Sequence, residues 1–126
     1  MSGIARSIYG PCLMLVYTLA SSMGVLLIKS FLTGAAPLSL SMMTQALVSP
    51  TFVIGFSLYV FSFAAWIGLL ASMPLSTAYP LAIGLTMTCS SIGAAVWLGE
   101  RIDLNKIFGM TLVFCAVVLF SLGSRN

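Results

Sequence analysis

The stretch TLASSMGVLLIKS, from Thr18 to Ser30, combines the apolar side chains of a membrane-spanning helix with several hydroxyl groups and a single lysine. It contains no Asp or Glu. Thr18, Ser22, Val25 and Lys29 are spaced by four, three and four residues, so they share one face of a helix. The stretch therefore predicts a transmembrane helix with a polar face that carries no acid.

The composition of the whole chain is that of an integral membrane protein. Of its 126 residues, 60% are hydrophobic and 6% are charged, and the mean hydropathy is +1.16, whereas soluble domains carry about 25% charged residues. The length fits a single domain, residues 1–126. The net charge of +3 comes from seven charged residues without a basic run, which excludes a nucleic-acid partner.

Four apolar runs are each close to the length of about 20 residues that a helix needs to cross a bilayer. No alternating pattern typical of strands is present. The sequence therefore predicts an all-α fold, a bundle of four transmembrane helices, with spans at about residues 8–28, 51–71, 75–98 and 104–122.

Turn and capping signals separate these runs. Gly34 and Pro37 end the first helix, and Asp103 is predicted to be the N-cap or a first-turn residue of the last helix. The uncharged segment from Leu38 to Ser49 is interpreted as an interfacial or partly re-entrant element. The alternative is that it forms an early turn of the second span, although Pro50 predicts a break there.

The sequence offers little for catalysis or for metal binding. It has no histidine, and its three cysteines fall inside apolar runs, which predicts packing roles and no metal or cofactor. Its two acids, Glu100 and Asp103, lie in one loop with Arg101, which we interpret as a solvated network. No acid–base pair is available within the bilayer, so we expect a protein that is not an enzyme.

A four-helix chain of this size is too small to enclose a substrate path, which predicts a dimer. The partner is a second copy or a related small subunit. Four spans place both termini on one side, and the basic residues divide almost evenly between the two sides, so the two copies can be inverted. Gly109, Ala116 and Gly123 are spaced by seven residues and form the predicted dimer interface.

Two motifs, PLSTAYPLAIG (residues 74–84) and GERIDLNKIFGM (residues 99–110), resemble the small multidrug-resistance family and the wider drug/metabolite transporter superfamily. Drug exporters of that family carry a membrane-embedded glutamate three residues before a glycine; here Ser21 precedes Gly24. The tryptophan expected three residues after Tyr79 is Ala82. A serine cannot exchange a proton for a cation as a buried carboxylate does.

The stretch SSMGVLLIK (residues 21–29) and the AYP motif (residues 78–80) are more similar to the small paired subunits proposed to flip aminoarabinose-phosphoundecaprenol. Those subunits also have serine at the position of Ser21, followed by a glycine and a lysine. The resemblance implies a bacterial inner-membrane carrier, with membrane lipid as partner, whose cargo is an anionic phosphate-linked lipid.

These observations select the candidate site residues. Hydroxyl groups on the first helix either line a cleft for a sugar head group or pack helices together, and Lys29 either contacts a phosphate or extends to the interface as an anchor. Pro80 and Gly84 form either a hinge or a static kink. The predicted substrate-binding set is Tyr17, Thr18, Ser21, Ser22, Lys29 and Tyr79.

The leading functional prediction is a flippase for a polyprenyl-phosphate-linked sugar. One alternative is a small-molecule or cation exporter of the multidrug type. A second is an accessory subunit that stabilises a larger membrane complex without transporting anything itself.

Overall fold

The computed structural model describes residues 3–35 and 37–123, with side chains from residue 8 onward, and all regular structure in this part of the chain is helical. The side chains of Arg6 and Arg125, on which the predicted topology depends, lie outside it. The helices are α1 (Gly3–Thr33), α2 (Leu40–Val48), α3 (Pro50–Ser72), α4 (Leu75–Trp97) and α5 (Leu104–Gly123).

Four of these helices, α1, α3, α4 and α5, are long and apolar enough to cross a membrane. The predicted all-α fold with four transmembrane helices is therefore confirmed. The helix α1 continues five residues beyond the predicted end of the first span, because the Thr33 hydroxyl donates to the Lys29 carbonyl oxygen at 2.8 Å and Gly34 begins the turn only after it. Lys29 thus lies inside a helix rather than at its end.

The segment with the ambiguous sequence pattern forms a separate short helix, α2. The Ser39 hydroxyl caps it by accepting from the Met42 N–H at 3.3 Å. Pro50 is the first residue of α3, where a missing N–H has no consequence for the helix. Leu40 and Leu47 are exposed on α2, and the interfacial location of this helix stays a prediction.

Short connections join α3 to α4 and α4 to α5. Only Met73 and Pro74 separate α3 from α4. Gly99, with φ of +66°, ends α4 in the left-handed conformation that glycine adopts without steric penalty. The Asp103 carbonyl oxygen accepts from the N–H groups of Lys106 and Ile107 at 2.9 and 3.1 Å, which places Asp103 at the N-cap position of α5. Its carboxylate accepts from the Leu104 N–H at 2.9 Å.

The helix α1 is the centre of the packing, because α3 and α4 both pack against it, while α5 packs on α4. The contact between α1 and α3 brings backbones together. A Cβ added at Gly24 would lie 2.7 Å from the Gly55 carbonyl oxygen, and one added at Gly55 would lie 2.9 Å from the Gly24 carbonyl oxygen. Two glycines therefore permit the close approach from which membrane helices gain most of their attraction.

We predict that Gly24→Ala lowers the free energy of unfolding by about 1–3 kcal/mol, because the new methyl group meets backbone that cannot move aside. Gly10→Ala is the matched control on the same helix, since its Cβ would meet only the flexible end of the Met73 side chain. The measurement is unfolding of both variants in detergent. Equal stability of the two variants would contradict the close crossing.

Candidate substrate-binding site

Three aromatic side chains from three helices contact one another. The Trp66 ring of α3 lies 5.3 Å from the Tyr17 ring of α1 and 5.6 Å from the Tyr79 ring of α4, measured between ring centroids. Both separations are typical of favourable aromatic pairs. These rings form one wall of a cavity of about 200 Å³, which we call the aromatic chamber; its lining residues are Tyr17, Ser21, Tyr59, Ser62, Phe63, Trp66, Tyr79, Ala82 and Ile83.

The lining of the aromatic chamber carries no charged side chain. Ser21, which stands where the resemblance places a glutamate, is buried with 7% of its surface exposed. Ser62 is also buried, and its hydroxyl donates to the Tyr59 carbonyl oxygen at 2.6 Å, which leaves the hydroxyl oxygen able to accept. The chamber therefore offers aromatic faces and hydroxyl groups, but no counter-ion.

Trp66 is a site residue that the sequence interpretation missed. The tryptophan of the family pattern is replaced by Ala82, which is 2% exposed and packs with Met14 and Leu69. The indole of this chamber comes instead from the neighbouring helix. A signal was available, because Tyr59, Ser62 and Trp66 are spaced by three and four residues on α3.

Two predicted site residues do not line the aromatic chamber, nor the larger cavity around Lys29. Thr18 and Ser22 are each 4% exposed, and within the described part of the chain their hydroxyl groups have no hydrogen-bond partner. They lie four residues apart between Met14, which packs with Ala82 of α4, and Leu26, which lies against Gly93 of α4. They therefore belong to the row of α1 that faces α4, and their role in substrate binding stays a prediction.

Lys29 lines a second and larger cavity, of about 620 Å³, between the end of α1, the end of α4 and the start of α5. We call it the basic cavity, because Lys29, Arg101 and Lys106 line it together with a single carboxylate, Glu100. Eight residues of α1 separate Lys29 from Ser21, which is about 12 Å along the helix axis. The two cavities are thus at different depths of the bundle.

The hydroxyl groups of α4 also divide into two sets. Thr86 and Thr88 donate to the carbonyl oxygens of Ala82 and Gly84 in their own helix, at 2.7 and 2.8 Å. Such bonds satisfy a hydroxyl group within a membrane helix without a ligand. Ser90 and Ser91, one turn further along, line the basic cavity.

The family model described as Small Multidrug Resistance protein matches residues 28–113, about two-thirds of the chain. The chain belongs to this family. Neither the curated proteins nor the solved structures gave a match.

Membership in the small multidrug-resistance family makes the chain a small membrane transporter. The matched segment includes Tyr79, Pro80, Gly84 and Gly109 but begins seven residues after Ser21. The helix α4 is continuous through Pro80 and Gly84, and a Cβ at Gly84 would collide with Val117 of α5. Gly84 therefore has a packing role, while the hinge role of the two residues stays a prediction.

The predicted dimer interface lies on an uncovered face of α5. A Cβ added at Gly109 or at Gly123 would meet no atom within 4 Å, and Ala116 is exposed. In this small multidrug-resistance protein α5 packs on α4, and Val117 is its one buried residue among Leu104–Gly123. The seam is consequently free to contact another molecule.

We predict that Ala82→Trp, which restores the tryptophan of the family pattern, lowers the free energy of unfolding by about 3 kcal/mol, because the larger side chain must displace the packed neighbours Met14 and Leu69 of the buried alanine. Ile92→Trp is the matched control, since Ile92 is exposed on the same helix. The measurement is unfolding in detergent. A fully stable Ala82→Trp protein would contradict the supply of the indole by α3.

Proposed function

We propose that this small multidrug-resistance protein moves an amphipathic substrate with an anionic head group, a polyprenyl-phosphate-linked sugar, between the leaflets of a bacterial inner membrane. The observation that carries the proposal is the distribution of charge. The four candidate spans contain two charged residues, Lys29 and Lys106, and no carboxylate.

The absence of an acid from the spans argues against a cation as cargo. A cation in a low-dielectric site needs a counter-charge, and without one its transfer from water is strongly unfavourable. Ser21 cannot supply that charge, and it cannot release a proton near neutral pH to drive exchange. The two acids of the sequence, Glu100 and Asp103, lie in the loop between α4 and α5.

An anionic lipid suits the arrangement of the two cavities. Its polyprenyl tail can remain in the bilayer, so only the head group needs a protein environment. The basic cavity supplies positive charge at the membrane boundary, and the hydroxyl groups and aromatic faces of the chamber supply contacts for an uncharged sugar ring. In this proposal Tyr17, Ser21 and Tyr79 contact the head group in the aromatic chamber.

The aromatic chamber also supports a second candidate, an exporter of organic cations. Faces of tryptophan and tyrosine attract cations by about 0.5–2 kcal/mol, and Trp66 lies between two tyrosines. That attraction is small beside the desolvation of a full charge, which is why we favour the anionic lipid.

We predict that proteoliposomes containing the protein flip a fluorescent polyprenyl-phosphate-linked sugar. The same proteoliposomes should not export quaternary ammonium dyes when a proton gradient is imposed. Protein-free liposomes and liposomes with an unrelated membrane protein serve as controls. Dye efflux that collapses when the gradient is dissipated would establish the cation exporter and overturn the lipid proposal.

A dimer is part of the same proposal, because four helices alone do not surround a head group. The exposed seam of Gly109, Ala116 and Gly123 supports helix-to-helix contact with a second copy or with a related small subunit, since small residues let backbones approach. The weak charge bias of the sequence leaves both parallel and inverted arrangements open.

We predict that Ala116→Leu lowers the dimer fraction severalfold while the monomer remains folded, because the larger side chain separates the two seams. Thr111→Leu places the same leucine side chain at an exposed position on another face of α5 and should leave the dimer fraction unchanged. Crosslinking in membranes gives both fractions. If the two variants dimerise equally, the interface lies elsewhere.

A further inference from the structure

The basic cavity brings together residues that are distant in the sequence. Lys29 comes from α1, Arg101 from the loop after α4, and Lys106 from the first turn of α5. With Glu100 as the one carboxylate among the lining residues, the formal charge of the lining is +2. The sequence pattern by itself indicates a solvated loop for Arg101 and assigns Lys106 no part in substrate binding.

The three cationic groups are available to a ligand. Within residues 3–35 and 37–123, neither Glu100 nor Asp103 lies within ion-pair distance of Lys29, Arg101 or Lys106. The Lys106 ammonium donates one hydrogen bond, to the Arg101 carbonyl oxygen at 3.4 Å. That bond holds Lys106 against the loop and leaves two of its three donors free.

We infer that Arg101 and Lys106 join Lys29 to form a phosphate-binding site at the mouth of the basic cavity. A guanidinium group binds two phosphate oxygens through parallel hydrogen bonds, and the two ammonium groups add charge without a fixed direction. This inference rests on the proposed function, for which it specifies the residues that take the phosphate.

The remaining lining of the cavity matches a phosphate that is attached to a larger molecule. Besides the cations, the lining contains polar side chains, Ser90, Ser91 and Asn105, and apolar side chains that include Leu26, Met87 and Met110. A volume of about 620 Å³ exceeds what a free phosphate ion fills. The apolar side chains therefore accommodate the first segment of the lipid chain beside its phosphate.

The positions of two cations near the ends of candidate spans support the same ligand. Lys29 lies four residues before the end of the first candidate span, and Lys106 is the third residue of the last one. Both line the basic cavity, so these two helix ends lie on the same side of the bundle. Lipid phosphates reside at the ends of membrane spans, where basic side chains attract anionic lipids. The lipid thus reaches the site by lateral movement within its own leaflet.

The test is equilibrium binding of a fluorescent polyprenyl phosphate to the full-length protein in neutral detergent micelles, with polyprenol and inorganic phosphate as competitors. We expect Arg101→Gln and Lys106→Gln each to weaken binding of the polyprenyl phosphate about tenfold or more, as Lys29→Gln should. Lys106→Arg should remain within a few fold of the original protein, because it keeps the charge.

Arg125→Gln is the charge-matched control, since it also removes one positive charge, at a residue that follows α5 in the sequence, and it should not change binding. Binding unaffected by Arg101→Gln and Lys106→Gln, or competition by polyprenol as strong as by the phosphate lipid, would overturn the site. Thermal unfolding of each variant separates loss of binding from loss of fold.

The outcomes also separate this inference from the proposed function. If inorganic phosphate binds in a manner that depends on Arg101 and Lys106 while the lipid does not bind, the phosphate site stands and the lipid flippase fails. If Arg101→Gln and Lys106→Gln bind and flip the lipid as well as the original protein does, the flippase stands and the site fails.

Discussion

The close crossing of α1 and α3 at Gly24 and Gly55 determines where the other elements of this protein can lie. Because backbone meets backbone there, the side chains on either side of the crossing are forced to pack against the opposing helix. About two turns along α1 from Gly24 and three turns along α3 from Gly55, the ring centroids of Tyr17 and Trp66 lie 5.3 Å apart. The aromatic chamber is thus lined by the same pair of helices that the two glycines bring together.

A different row of α1 side chains faces α4, and it differs in polarity from the row that faces α3. The row that faces α4 contains Thr18 and Ser22, whose buried hydroxyl groups have no partner within the described residues. An unpaired buried hydroxyl is unfavourable by about 1–3 kcal/mol. The contact of α1 with α4 therefore contains hydroxyl groups without hydrogen bonds and is less favourable than the contact of α1 with α3. A conformational change would break the contact with α4 more easily.

Hydrophobicity and capping signals were sufficient to predict much of the fold, because they act within single helices. The four spans and the N-cap at Asp103 belong to this class. Contacts between helices were not predictable, since Gly24 and Gly55 gain their meaning only as a pair. Trp66 was missed because an aromatic residue in an apolar run resembles one that faces lipid, and Arg101 was taken for a solvated loop residue because the sequence does not show that Lys29 lies beside it.

The central claim is that this member of the small multidrug-resistance family carries out transport without a membrane-embedded carboxylate, and proton release on ligand binding tests it most directly. A buried carboxyl group whose pKa is raised above the pH of the solution holds a proton, and it must release that proton when a cation binds beside it. The measurement is the number of protons released per protein in weakly buffered solution near pH 7, after addition of a quaternary ammonium compound or a polyprenyl-phosphate-linked sugar. The account predicts no release with either ligand, whereas pH-dependent release that approaches one proton per bound molecule would contradict it.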